Sequence, residues 1–120
     1  MLKKVLVAED SDDSRHFMRL LLEMCGYSVI EAINGQEAVD AVKQETPDLI
    51  LMDMSMPIMD GITATKIIRK FETSAKIPIV AVTAYGSAYQ RIAMDAGCDA
   101  LIAKPVDFSK LEPLLNQYLA

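Results

Sequence analysis

A doubly wound α/β fold is what this sequence predicts, with five parallel strands in the order 2-1-3-4-5 and helices on both faces. Three observations predict it. Short apolar runs alternate with amphipathic segments five times along 120 residues. Several of the runs are apolar at every position, as strands buried on both faces are. Gly, Pro and N-capping residue types stand between them. Strands alternating with helices imply right-handed crossovers and a parallel sheet. The length suits one domain with a real core, and no linker, repeat or low-complexity stretch divides residues 1–120.

Val5-Leu6-Val7-Ala8 is the first strand. The acidic run Glu9 to Asp13 follows and supplies N-caps for a helix whose apolar face is read from Phe17, Leu20, Leu21 and Met24, with Gly26 as its stop. Asp12 and Asp13 suit the helix dipole. Residues 27–32 form a second strand of mixed polarity, fit for a sheet edge. Asn34 with Glu37 resembles a capping box. Ala38, Val39 and Val42 give the second helix a light apolar face, and Thr46-Pro47 breaks it.

Leu49-Ile50-Leu51-Met52 is the third strand and leads into Asp53-Met54-Ser55-Met56-Pro57-Ile58-Met59-Asp60-Gly61. Pro57 ends the strand because it lacks an N–H and fixes its φ. Gly61 can take dihedrals closed to other residues. Ile62, Ile67, Ile68 and Phe71 mark the third helix, with Asp60 in the loop or capping it. Residues 77–82 are the fourth strand and 83–87 a loop. Tyr89, Ile92, Ala93 and Ala96 define a helix closed by Gly97. Residues 100–103 are the fifth strand, stopped by Lys104-Pro105. Ser109 and Glu112 form a capping box for a last helix carrying Leu111, Leu114, Leu115, Tyr118 and Leu119.

Net charge is −5, which argues against a broad nucleic-acid surface. No apolar run is long enough to cross a membrane. The N-terminus, Met1-Leu2-Lys3-Lys4, has too short an apolar run behind it for a signal peptide, so a cytoplasmic location is expected. Met1, close before the first strand, favours a natural start. Cys25 and Cys98 lack metal-ligand spacing and read as reduced, partly buried thiols. His16, between Arg15 and Arg19, reads as exposed and structural. The methionines read as core and loop packing.

In such sheets ligands sit at the carboxyl ends of the strands, at a topological switch point. Strand one brings Glu9 and Asp10 there, strand three Asp53, strand four Thr83 and strand five Lys104. Carboxylates ~4–5 Å apart repel by about 3–4 kcal/mol at an effective dielectric of roughly 20. Protonation, Lys104 or a divalent cation must offset this. Oxygen ligands in small number suit Mg²⁺, which completes its shell with water and phosphate oxygens. A carboxylate beside Mg²⁺, a lysine and a hydroxyl is equipped to take a phosphoryl group, with Asp53 as nucleophile.

The sequence resembles the receiver domains of response regulators in two-component signalling, including the chemotaxis-regulator type. Glu9-Asp10, Asp53-x-x-x-Pro57-x-x-Asp60-Gly61, Thr83-Ala84 and Lys104-Pro105 carry the resemblance over the whole chain. The resemblance implies a flavodoxin-like fold. It implies phosphoacceptor Asp53, metal ligands Asp10, Asp53 and the Ser55 backbone carbonyl, and Glu9 acting through water. It implies that Lys104 and Thr83 contact the phosphoryl group, that Thr83 is the switch hydroxyl, and that the Lys104–Pro105 bond is cis. Mg²⁺ is the implied cofactor, with Mn²⁺ as substitute. The implied partners are a histidine kinase or histidine phosphotransfer protein, and an output partner on the face of the fourth helix, fifth strand and fifth helix. No direct nucleic-acid or membrane partner is expected.

Two departures stand out. The first acid of the pair is usually Asp and is Glu9 here. The usual aromatic three residues before the lysine is Leu101, so the threonine–aromatic coupling needs another form. Tyr85 stands near the site, where a ring can slow hydrolysis. The chain reads as a single-domain regulator or as the receiver of a hybrid histidine kinase. A Mg-dependent aspartyl-phosphate phosphatase is the rival. It needs an acid where Ser55 stands and a cap domain for which 120 residues leave no room. A flavin site would need a hydroxyl- and glycine-rich loop in place of the acids at 9–13.

Overall fold

The computed structural model describes residues 2–71 and 76–120. Met1, the start of the basic N-terminus, lies outside them. The elements are β1 (Lys4–Ala8), α1 (Asp12–Met24), β2 (Ser28–Ala32), α2 (Gly35–Glu45), β3 (Leu49–Asp53), α3 (Gly61–Ile68), β4 (Ile79–Thr83), α4 (Ser87–Ala96), β5 (Ala100–Ala103) and α5 (Phe108–Leu119). The five strands form one parallel sheet in the order β2-β1-β3-β4-β5. This is the predicted fold. The mixed-polarity second strand lies at an edge.

Alternation along the strands builds two cores. Val5, Val7, Leu49, Leu51, Val80, Val82 and Ile102 meet α1 and α5 on one face. Leu6, Ala8, Ile50, Met52, Ile79 and Ala81 meet α2, α3 and α4 on the other. Burial on both faces explains why β3 and β4 lack any polar alternation.

Several boundaries move. Asp53 and Thr83 are the last residues of β3 and β4, not loop residues. β2 begins at Ser28, and β4 at Ile79, later than the apolar runs suggested. Phe71 lies beyond α3, its N–H turned to the Ile68 carbonyl. It packs on the α2–α4 core with Lys43 Nζ 4.8 Å over its ring.

Caps at Ser11, Asn34 and Asp60 each accept from the N–H three residues on. Glu37 reaches back to the Ile33 N–H, one residue before the cap. The cap of α5 is Asp107, not Ser109. Asp107 accepts both the Lys110 N–H and the Ser109 hydroxyl, which leaves no box with Glu112. Pro113 sits inside α5 and removes one helical N–H.

The face of α1 is rotated from expectation. Met18 and Leu22 are buried and Leu21 packs half-buried beside them, whereas Leu20 is 46%, Phe17 51% and Met24 83% exposed. Gly61 does not use its freedom of φ, which is not positive. A Cβ there would stand 2.2 Å from the Asp53 carbonyl oxygen, so close approach demands the glycine. The left-handed residue of that loop is Ile58, at φ 69°, a strained setting for a β-branched side chain.

Candidate functional site

The sheet reverses its winding between β1 and β3, because β1 continues to β2 on one side and meets β3 on the other. The crevice beyond these strand ends is the expected site. Glu9 extends β1, its N–H donating to the Ala32 carbonyl. Asp10 follows and is exposed. Asp53 ends β3 and is 3% exposed. One carboxylate oxygen from each of Glu9, Asp10 and Asp53 lies within 4.8 Å of the others.

Lys104, just past β5, enters from the far side. Its backbone N–H donates to the Thr83 carbonyl, and the Lys104–Pro105 bond is cis. Its Nζ lies 3.2 Å from Asp53 Oδ2 and 2.9 Å from Glu9 Oε1. The Asp53 contact is a directed hydrogen bond, and Asp53 Oδ1 accepts the Ser55 N–H at 3.1 Å. Glu9 Oε2 accepts the Ser11 N–H. Glu9 Oε1 is a buried oxygen whose charge partner is the Lys104 ammonium, 2.9 Å away.

Electrostatics follow. Burial, then the neighbouring Glu9 carboxyl, pushes Asp53 up to about 7, against the pull of the Ser55 N–H and Lys104. Burial works in the same sense on Glu9. There Lys104, the Ser11 N–H and Asp53 outweigh it, and its pKa is lowered. Burial of two neighbouring carboxyls thus opposes ionising both at once. Lys104 is held charged: burial opposes this, but contact with Glu9 and the charge of Asp53 prevail.

A metal fits this donor set. It is all oxygen and anionic, with three carboxylate oxygens within 4.8 Å of one another, one of them exposed toward solvent. Divalent oxygen-seeking cations match such sets.

The remaining predicted residues divide. Thr83 is buried, and its Oγ1 accepts the Tyr85 N–H at 3.0 Å. Leu101 is half-buried on the core packed by α4, on the same sheet face as Thr83, with Ala103 opposite Thr83 in the register. Ser55 is exposed, and its N–H serves Asp53. His16 is exposed, and Cys25 and Cys98 are free thiols. Burial raises the Cys98 thiol. Tyr85 is 63% exposed and stacks on Tyr89 with ring centroids 5.6 Å apart. Sequence reasoning gave Arg15 no part, yet its Nη1 donates to the Glu9 carbonyl at 3.0 Å. No periodicity marks a side chain that reaches back from its helix to the preceding loop.

The chain belongs to the response regulator receiver domain family, whose profile matches residues 5–116, and so is a receiver domain of two-component signalling. It is similar to the polar-differentiation response regulator DivK of Brucella anthropi, at 36% identity over 99% of this chain and 98% of the relative. It is similar to the receiver domain of sensor histidine kinase PA1611 of Pseudomonas aeruginosa, a structure with a magnesium ion in the active-site cleft. There the TM-score is 0.92 and the identity 29%, over 98% of both chains. It is also similar to the receiver domain of the Saccharomyces cerevisiae response regulator Ssk1, crystallised with the histidine phosphotransfer protein Ypd1. That match has a TM-score of 0.90 and 32% identity over 98% of this chain and 88% of that one. Among the described residues no helix is long and apolar enough to cross a membrane.

Proposed function

We propose that Asp53 is the phosphoacceptor of a phosphorelay and that the chain switches conformation to control a partner. One observation carries this reading. A nearly inaccessible carboxylate at a strand end is held by Lys104 Nζ, with two further carboxylates beside it. Asp53 attacks the phosphorus of a phosphohistidine. The new O–P bond forms as the N–P bond breaks, and its electron pair returns to the imidazole nitrogen, which takes up a proton. Lys104 balances the charge on the phosphoryl oxygens. Asp10, Asp53 and the Ser55 carbonyl would hold Mg²⁺, with Glu9 acting through water and Mn²⁺ able to replace it. Bound there, the cation supplies positive charge to the transferring group.

The donor is a histidine kinase or a histidine phosphotransfer protein, the class to which Ypd1, crystallised with the receiver domain of its downstream response regulator Ssk1, belongs. A cleft of about 470 Å³ opens beside the site between Phe17, Met18, Val106, Glu9 and Lys104. The exposed Phe17–Leu20–Met24 stripe of α1 adjoins it, giving a donor protein an apolar footing next to Asp53. Output runs through α4, β5 and α5, with Thr83 as the moving hydroxyl and Leu101 repacking on a small scale. Neither nucleic acid nor membrane is a direct partner. The whole chain, 1–120, acts as one cytoplasmic receiver domain that catalyses only its own phosphorylation and dephosphorylation.

Incubation with Mg²⁺ and acetyl phosphate, followed by intact mass, tests the assignment. A single phosphoryl increment is expected, lost in Asp53→Asn and without Mg²⁺. Labelling that survives in Asp53→Asn refutes it.

A further inference from the structure

Arg15 stands early in α1, on a helix that is largely solvated, yet its side chain is only 14% exposed. Its planar guanidinium carries five donors in a fixed fork. Nη2 bonds Asp12 Oδ1 at 2.6 Å, and Nε bonds Glu31 Oε1 at 3.1 Å. Glu31, on β2, is itself held by Arg19 one turn further along α1. Two carboxylates on different elements therefore orient the fork. The remaining donor, Nη1, points at the carbonyl of Glu9, 3.0 Å away.

That carbonyl belongs to the peptide joining Glu9 to Asp10. The peptide is planar, so holding its oxygen fixes the plane from which the Asp10 residue departs. The other side of Glu9 is held as well, its N–H on the Ala32 carbonyl at 3.0 Å. With both peptides tied, the backbone from which the two acidic side chains depart is held before any ligand arrives. β1 ends at Ala8, so the sheet ladder alone does not hold the Glu9–Asp10 peptide.

We propose that Arg15 is a positioning residue for the metal-binding pair Glu9–Asp10, clamping their shared peptide from α1 and β2. This rests on reading Glu9, Asp10 and Asp53 as the Mg²⁺ site. An ordinary surface ion pair has no need of the Glu9 carbonyl. Lysine cannot replace the clamp, because a single ammonium cannot reproduce a fork oriented at three points.

The test is calorimetric titration of the full chain with Mg²⁺ alone, for wild type, Arg15→Gln and Arg15→Lys, with Tm measured without Mg²⁺. Removing a partner that orients metal ligands weakens binding by about ten- to a hundredfold. Arg15→Gln is expected to lose about tenfold in Mg²⁺ affinity. Acetyl phosphate labelling should return close to the wild-type rate once Mg²⁺ is saturating. Arg15→Lys is expected to keep Tm near wild type through its charge and still to bind Mg²⁺ more weakly. A purely structural arginine would give the opposite split, a lower Tm with unchanged affinity, and that result overturns the proposal. Equal affinity in all three proteins overturns it too and leaves the metal site standing. Absence of Mg²⁺ binding in wild type overturns both.

Discussion

Asp53 and Glu9 are two carboxyl groups with one lysine between them, buried where water cannot screen them. Burial and Glu9 raise the Asp53 pKa to about 7. In the unfolded chain the same group titrates near 3.8. Between those values the folded state binds more protons than the unfolded state, so this group's contribution to stability falls as pH rises from about 4 to about 7 and is flat above. Asp53→Asn removes the ionised form altogether. Without Mg²⁺, Asp53→Asn should therefore be more stable than wild type by roughly 2–4 kcal/mol at pH 8, with the gap closing toward pH 5. Urea unfolding at the two pH values measures it. Equal stability at pH 8 would mean that Asp53 is not a destabilised carboxylate. At this scale the residue types of the site were legible, since chemistry-bearing side chains at strand ends converge once the strand order is known. The Glu9–Lys104 contact, the Thr83–Tyr85 bond and the reach of Arg15 were not. Each depends on the path of a side chain or loop in space, which spacing along the chain does not encode.

Strands were the most legible elements and helix faces the least. β3 and β4 are apolar throughout because both faces are covered, and no competing pattern exists. α1 is apolar in two registers, so periodicity alone cannot choose between a Phe17–Leu20–Met24 face and a Met18–Leu22 face. Packing of α1 against β1, beside α5, selects the second and leaves the first in solvent. At α5, Asp107 and Ser109 both suit a cap, and Asp107 takes the role while binding the serine hydroxyl. The start of α3 is set by contact. Its first residue, Gly61, donates to the Met54 carbonyl and lies against the Asp53 carbonyl, so α3 abuts the end of β3. A methyl group there would meet backbone at 2.2 Å and the Met54 side chain at 2.7 Å. Backbone cannot yield as a side-chain tip does. Gly61→Ala is expected to cost about 1–3 kcal/mol in chemical denaturation, as overpacking does. It should also slow acetyl phosphate labelling, by displacing the strand end that carries Asp53. Wild-type stability in Gly61→Ala would show that the loop opens freely.

At the scale of the whole molecule the question is how the proposed phosphorylation of Asp53 would reach the proposed α4–β5–α5 output face. Leu101 has no ring to swing, so on that reading the proposed switch hydroxyl of Thr83 needs another relay. Thr83 Oγ1 accepts the Tyr85 N–H, and Tyr85 stacks on Tyr89 at an interplanar angle of 26°. Tyr89 and Leu101 pack against the same core as α4. A hydroxyl that turns to donate to a phosphoryl oxygen moves away from the Tyr85 N–H. On this proposal the loop before α4 would lose its tether and the stacked pair would rearrange on the core that Tyr89 and Leu101 share. The route is local, needs two states of one loop, and ends on the proposed output face. The chain has no tryptophan and four tyrosines, so near-ultraviolet circular dichroism reports on these rings. Acetyl phosphate with Mg²⁺ should change that signal in wild type. Thr83→Ala should still be labelled at Asp53 by mass and yet show little tyrosine change. Tyr89→Leu should be labelled and should lose the part of the signal that comes from the stack. A full wild-type change in phosphorylated Thr83→Ala would exclude the Thr83–Tyr85 tether as the route and return the coupling to Leu101 and its neighbours on β5.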